Sequence, residues 1–124
     1  MAATSTDRLR EFAESDEIEI ETRRDPKSPI HRTTIWIVPT EKGVYVRSVY
    51  VKGRWYQEAL ANRTVTIRVG RRKVAARVQR VIDSSVIRAV NAGIREKYGE
   101  RWPKDAQAFV RLSRQHTTLR LIPQ

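Results

Sequence analysis

The amino-acid sequence predicts a mainly β protein with flanking helices (α+β), built as a small six-stranded antiparallel barrel. Several segments alternate apolar and polar residues, most clearly EIEIET from Glu17 onward, and this period of two is typical of half-buried strands. Most connections between these segments are too short for the crossovers that parallel strands require, which favours antiparallel pairing. Closing six short strands into a barrel would remove their unpaired edges.

The first half of the chain is predicted to hold one helix and three strands. A helix is expected within residues 1–16, capped by Ser5 or Thr6, and the barrel strands within residues 17–82. The loop RRDPKSPIHR follows EIEIET and contains two prolines without periodicity. Beyond it, TTIWIVP (33–39) and VYVRSVYV (44–51) are predicted to form a hairpin across the turn TEKG.

The second half is predicted to place helices on either side of another hairpin. GRWYQEALANRT has helical spacing, so a short helix is expected over residues 54–61, ending at Asn62. TVTIRVG and KVAARVQRVI form a hairpin around Gly70. Two helices are expected within residues 83–112, and a closing strand within 117–122. The length of 124 residues indicates a single domain, 1–124.

Composition limits the classes of function. The chain has no cysteine and only two histidines, far apart in sequence, so thiol chemistry is excluded and no metal site is expected. No segment has the apolar length of a signal peptide or membrane span, which predicts a cytoplasmic protein without membrane contact. Residues 1–21 carry a net charge of −5 and the remainder +16. Such a basic body attracts phosphates, carboxylates or nucleic acid.

A cluster of basic residues is expected around the hairpin of residues 33–51. Arg32 opens the first strand, Arg47 and Ser48 lie towards the end of its partner, and Lys52 and Arg54 precede the short helix. Because a hairpin brings its start and end together, these side chains can converge on a phosphate group. The alternative is that they are solvated arginines and lysines on the surface of a basic protein.

Aromatic residues stand next to this cluster. Trp55 and Tyr56 offer a flat surface to a planar ring, or else they fill the core or a dimer interface. Candidates for a catalytic role are Tyr56 and His31, since an imidazole can donate or accept a proton. The sequence contains no nucleophile motif and no pair of acids at a fixed spacing. Any chemistry would therefore depend on a redox cofactor.

The span HRTTIWIV…GVYVRSV…GRWYQEALANRTVTIRVG resembles the flavin- and deazaflavin-binding split β-barrel proteins, which include pyridoxamine-phosphate oxidases and F420-dependent nitroreductases. Nearly the whole chain, from EIEIETRR to TTLRLIPQ, resembles the bacterial DUF2255 family within that superfamily. In the nitroreductase pattern an arginine opens the second strand, a serine ends the third and an aromatic pair begins a helix. Arg32, Ser48 and Trp55–Tyr56 match these positions, whereas Arg63 stands where the pattern has proline.

The resemblance implies a homodimer that binds FMN or F420 in a cleft between protomers and acts as an oxidoreductase on a small organic molecule. The residues that would contact the cofactor are Arg32, Thr33, Arg47, Ser48, Lys52, Arg54 and Trp55.

Two further hypotheses remain open from the sequence. In the second, the same barrel holds no flavin and its cleft binds a small anionic or aromatic metabolite, with or without catalysis. In the third, nucleic acid binds through a basic hairpin, although no nucleic-acid motif is present. That hairpin carries Arg68, Arg71, Arg72, Lys73, Arg77 and Arg80.

Overall fold

The computed structural model describes the backbone of residues 5–124 and the side chains of residues 8–111 and 114–124. The predicted cap at Ser5 or Thr6, and the first four residues of the predicted helical region, therefore lie outside the described part. In chain order the elements are α1 (Ser5–Phe12), β1 (Glu17–Thr22), β2 (His31–Trp36), β3 (Val38–Thr40), β4 (Gly43–Val46), α2 (Arg54–Asn62), β5 (Thr64–Val69), β6 (Arg72–Arg80), α3 (Ser84–Tyr98), α4 (Pro103–Phe109), α5 (Leu112–Gln115) and β7 (Leu119–Pro123).

The strands form one antiparallel sheet in the order β2-β1-β5-β6-β7-β4-β3. The mainly β, split-barrel-like class is confirmed, but the described residues form a sheet of seven strands, so the predicted number of six is wrong. The difference arises in TTIWIVP, which forms two strands, β2 and β3, instead of one. These are the two edge strands of the sheet, so the chain passes directly from one edge to the other through Ile37.

Two side chains of α3 explain why the strand is divided at Ile37. The Tyr98 hydroxyl accepts a hydrogen bond from the Ile37 amide (3.2 Å), and the Lys97 ammonium donates to the Ile37 carbonyl (2.8 Å). The backbone groups of Ile37 are thus satisfied by α3 and need no strand partner. The strand consequently changes neighbours at this residue, pairing with β1 before it and with β4 after it.

The barrel interior is filled by one face of each long strand. Apolar side chains that alternate with polar ones are buried together: Ile18, Ile20, Val65, Ile67, Val74, Ala76, Val78, Leu119 and Leu121. Helices α1 and α2 add Leu9, Phe12 and Ala59 to this core. A second, smaller core lies between the sheet and the α3–α4 pair, where Tyr45 packs with Val90, Ile94 and Tyr98.

Two segments differ from the sequence predictions for physical reasons. Strand β4 ends at Val46 instead of Val51, because the Ser48 amide donates to the Thr117 hydroxyl (3.0 Å) and not to a strand. Helix α2 ends one residue later than predicted, and the residue in the left-handed conformation is Arg63 (φ 66°), not Asn62. Three helices, α3, α4 and α5, follow β6 where two were predicted.

Candidate functional site

A cavity of about 400 Å³ opens beside the start of α2, and we call it the first cavity. Strand β2, the loop after β4 and helix α4 form its walls, so it joins segments that are distant in sequence. This volume lies in the range of small-molecule sites. Its lining residues are Glu17, Thr33, Thr34, Ile35, Trp36, Arg47, Ser48, Val49, Tyr50, Gly53, Trp55, Asp105 and Phe109.

Arg47 places a buried positive charge in the wall of the first cavity. The residue is 3% exposed, and its guanidinium donates to Thr118 Oγ1 (2.7 Å), Phe109 O (2.9 Å) and Ile87 O (3.3 Å). All three acceptors are neutral, and none of the described carboxylates lies within ion-pair distance of it. Burial lowers the pKa of Arg47 to about 10. A buried charge without a counter-ion is unfavourable, so an anion in the cavity would compensate it.

The loop between β4 and α2 is tightly folded against Ser48. The Ser48 hydroxyl accepts from the Tyr50 amide (3.1 Å) and lies 2.6 Å from the Tyr50 carbonyl, to which it donates. Gly53 packs so closely that a Cβ atom there would lie 3.0 Å from Ser48 Oγ and 3.1 Å from Tyr50 O. Ser48 therefore shapes the cavity wall while its hydroxyl is occupied by this turn.

Aromatic side chains supply flat apolar surface to the first cavity. Trp36 stacks on Tyr98, with ring centroids 3.9 Å apart and planes 7° apart, and also contacts Phe109. Trp55 is 7% exposed and meets Tyr56 edge to face. Tyr50 is 68% exposed at the rim, beside Val49 and Val51, which are also exposed. The cavity thus combines ring faces, a buried cation and an apolar rim.

A second cavity, of about 490 Å³, lies on another face of α2. Its lining residues are Arg24, Ser28, Pro29, His31, Arg54, Gln57, Glu58 and Ala61. Glu58 is buried and is hydrogen-bonded to Thr22 Oγ1 (2.9 Å) and to His31 Nδ1 (2.9 Å). The two cavities have no lining residue in common.

The structure separates the residues that the sequence grouped together. Thr33, Arg47, Ser48 and Trp55 line the first cavity, while His31 and Arg54 line the second. The other three residues predicted for the site lie outside both cavities.

Arg32, Lys52 and Tyr56 line neither cavity. Arg32 is exposed and donates to Glu21 Oε2 (2.6 Å), which also accepts from Arg68. Lys52 is exposed in the turn before α2. Tyr56 is 2% exposed and its hydroxyl donates to His116 O (3.3 Å), so it packs in the core.

The basic hairpin β5–β6 carries its charges on the outside of the sheet. Arg71, Arg72, Lys73, Arg77 and Arg80 are exposed, and Arg72 pairs with Glu11 (2.6 Å). The alternation that buries Val74, Ala76 and Val78 turns Lys73 and Arg77 outward, whereas Arg72 and Arg80 are exposed at the two ends of the strand.

Sequence reasoning missed several residues of the two cavities. Trp36 and Phe109 line the first cavity although they are 73 positions apart, and no local pattern connects them. Thr118, which accepts a hydrogen bond from Arg47, is 71 positions away from it in sequence. Glu58 offered one signal, since it is a lone carboxylate near the apolar face of an otherwise basic and aromatic helix.

No helix within the described residues has the length and apolar character needed to cross a membrane.

The fold is similar to several solved structures. HutZ, the heme storage protein from Vibrio cholerae, has 18% sequence identity and a TM-score of 0.68, with 94% of this chain and 88% of that chain covered. ChuZ from Campylobacter jejuni has 10% identity and a TM-score of 0.73, covering 100% of this chain and 55% of that one. An FAD-binding protein from Mesorhizobium loti has 13% identity and a TM-score of 0.63, with 100% and 91% covered.

These similarities establish the split-barrel fold, on which other proteins bind small molecules such as FAD. No curated protein matches the sequence. Residues 8–121 match the family described as "Uncharacterized protein conserved in bacteria (DUF2255)". The match covers nearly the whole chain, and the chain therefore belongs to the DUF2255 family.

Proposed function

We propose that this protein binds a flavin-type cofactor, FMN or F420, in the first cavity and uses it to oxidise or reduce a small organic molecule. The observation that carries the proposal is Arg47, a buried guanidinium that forms no ion pair with any described carboxylate. A planar, negatively charged ligand would supply the missing charge and occupy the surface offered by Trp36 and Phe109.

The residues of the first cavity fit such a group. Arg47 can still donate from guanidinium N–H groups that Thr118, Phe109 and Ile87 do not use, since it has five and three hydrogen bonds are formed. Lys52, exposed beside the cavity-lining Gly53, is available to a phosphate that extends out of the cavity. When bound, a flavin supplies hydride chemistry, and the protein supplies position and electrostatics.

A second protomer would complete this site. The exposed apolar residues Val49 and Tyr50 stand at the rim of the first cavity, next to the exposed Val51, and a homodimer contact there would cover both them and the ligand. This arrangement would exclude water from the reacting atoms.

Titration of the purified protein with FMN, and separately with F420, tests the proposal through quenching of cofactor fluorescence. Arg47→Met should weaken binding at least about tenfold, since it removes a charge-assisted contact without much change in volume. Arg71→Gln, in the distant turn of the β5–β6 hairpin, is the matched control for net charge and should bind as the wild type does. Circular dichroism would verify that both variants are folded. Absence of binding to either cofactor, or equal binding by the two variants, would refute the proposal.

A second candidate function is binding of an anionic aromatic metabolite in the same cavity without flavin. It is favoured by two residues that the resemblance assigns to a flavin but that are engaged elsewhere: Arg32 with Glu21, and the Ser48 hydroxyl with Tyr50. The probe is 2-naphthoate, a planar carboxylate. Binding of 2-naphthoate that depends on Arg47, with no binding of FMN or F420, would select this function.

A further inference from the structure

The second cavity is walled by one face of α2. Arg54, Gln57, Glu58 and Ala61 follow the spacing of three and four residues that places side chains on one side of a helix. The loop after β1 and the first residue of β2 form the opposite wall. The first cavity instead contacts Gly53 and Trp55, so the two sites lie on different sides of the start of this helix.

A buried carboxylate orients an imidazole in this cavity. Glu58 is 9% exposed, and its Oε1 accepts from the Thr22 hydroxyl (2.9 Å). Its Oε2 lies 2.9 Å from His31 Nδ1. An ionised carboxylate can only accept hydrogen bonds, so the proton of the imidazole is placed on Nδ1. His31 Nε2 is then left to interact with a molecule in the cavity.

Two arginines bring positive charge to the same cavity. Arg54 is exposed and forms no hydrogen bond or ion pair with any residue that the structure describes. Arg24 is also exposed, and Asp25 Oδ2 lies 3.7 Å from its Nε, beyond hydrogen-bonding distance. Both guanidinium groups therefore retain donors for an oxyanion, which they can bind with two parallel hydrogen bonds.

We propose that the second cavity binds a small molecule through a phosphate or carboxylate group. Arg54 and Arg24 pair with the oxyanion, and His31 Nε2 forms a hydrogen bond to the same molecule. Glu58 acts as a positioning residue by holding the imidazole in one orientation.

The ligand carries an organic part in addition to its charged group. The volume of about 490 Å³ exceeds what a bare phosphate fills, and Pro29 and Ala61 provide apolar wall beside the charged residues. Gln57 is turned towards the loop between β4 and α2, where its side-chain amide donates to Val51 O (2.6 Å). The class of ligand is therefore a phosphomonoester or carboxylate of small-metabolite size.

Isothermal titration with phenyl phosphate, inorganic phosphate and benzoate tests this proposal. Binding of at least one of these probes is expected, with phenyl phosphate tighter than inorganic phosphate if the organic part is held. Arg54→Gln should weaken the binding of these probes about tenfold, because one charge-assisted hydrogen bond is lost. Arg71→Gln changes net charge equally at a distant exposed turn and should leave binding unchanged.

The role of Glu58 has its own readout, the nitrogen chemical shifts of the His31 ring. In the wild type they should report the proton on Nδ1, and in Glu58→Gln a mixture of tautomers, with weaker binding of the probe. Arg47→Met should not affect binding here, which separates this site from the first cavity.

Failure of all three probes to bind the wild type, or equal binding by the Arg54→Gln and Arg71→Gln variants, would overturn the proposal.

Discussion

Lys97 offers a test of how the barrel is held at the point where its two edge strands join. Its ammonium group donates to three backbone carbonyls, those of Ala13 (2.7 Å), Ser15 (2.7 Å) and Ile37 (2.8 Å). Burial lowers the pKa of Lys97 from 10.5 to about 8, although Asp16 favours the charged form. The perturbation to study is therefore pH, with Lys97→Met as the variant that removes the titrating group.

The sign of the effect follows from proton binding. Between pH 8 and 10.5 the unfolded chain keeps Lys97 protonated while the folded chain releases the proton. The unfolded state then binds more protons, so the free energy of unfolding rises with pH across this window. The difference in pKa corresponds to at most about 3 kcal/mol. Because Lys97 retains contact with water and the neutral amine has two N–H groups for three carbonyls, we expect about 1–2 kcal/mol.

Tyr98 produces the opposite slope at higher pH. Burial raises the pKa of its hydroxyl from 10.0 to about 12. Between these values the unfolded chain loses the tyrosine proton and the folded chain keeps it, so stability declines as pH rises. Arg47, whose pKa burial lowers to about 10, contributes a rise in stability above pH 10 that opposes this decline.

Urea unfolding followed by far-ultraviolet circular dichroism, between about pH 7 and about pH 11, measures both slopes. Lys97→Met should abolish the rise between pH 8 and pH 10, and Tyr98→Phe should remove a contribution that lowers stability above pH 10. Lys73→Met, at an exposed position of β6, is the matched control and should keep the wild-type profile. The reasoning is refuted if Lys97→Met and Lys73→Met show the same dependence on pH.

Two further predictions concern backbone and packing. Arg63 has φ 66°, so Arg63→Gly should raise the free energy of unfolding by about 0.5–1 kcal/mol, whereas Arg63→Ala should give no gain. Arg63→Pro should lower it by about 3 kcal/mol, because proline cannot adopt this φ and lacks the amide that donates to Ala59 O; a folded, stable Arg63→Pro variant would contradict the assigned conformation. Gly93→Ala should lower stability by about 1–3 kcal/mol, since its Cβ would lie 2.7 Å from Val38 Cγ1. In a double-mutant cycle with Val38→Ala the combined loss should be less than additive, and strict additivity would argue against this contact.

The departure of Arg63 from the nitroreductase pattern has a structural reason. A proline at this position would need φ near −65°, whereas α2 ends here in the left-handed conformation before β5 begins. A proline at position 63 is therefore incompatible with the way α2 ends in this structure. The sequence showed the substitution, and the backbone explains it.

The fold was largely predictable because the short-range spacing of apolar and polar residues indicates the strands and helices. EIEIET became β1 with Ile18 and Ile20 buried, and GRWYQEALANRT became α2 with Trp55 and Ala59 buried. The division of TTIWIVP was not predictable, since its cause is the hydrogen bonding of the Ile37 backbone to the side chains of Tyr98 and Lys97, about 60 residues later.

The candidate site was predictable only in part. Arg47 and Trp55 were singled out and do line one cavity, but Arg54 and His31 line another, and Arg32 pairs with Glu21. Of the predicted hairpin only β3 pairs with β4, whereas β2, which carries Arg32, pairs with β1 at the opposite edge of the sheet. That change of partners at Ile37 depends on contacts with α3, which the local sequence does not reveal.

By itself the sequence determined the alternating strands, the helix after the first hairpin, the basic charge of the domain body and the family. The strands and the helix show as a regular spacing of apolar residues along the chain, the charge follows from the composition, and the family follows from the motifs. Only the tertiary structure decided that Arg47 is buried without an ion-pair partner and that the basic residues divide between two cavities. It alone also decided that the segment 33–39 forms two separate edge strands. Each of these depends on contacts between residues far apart in the chain, whose packing leaves no local signature.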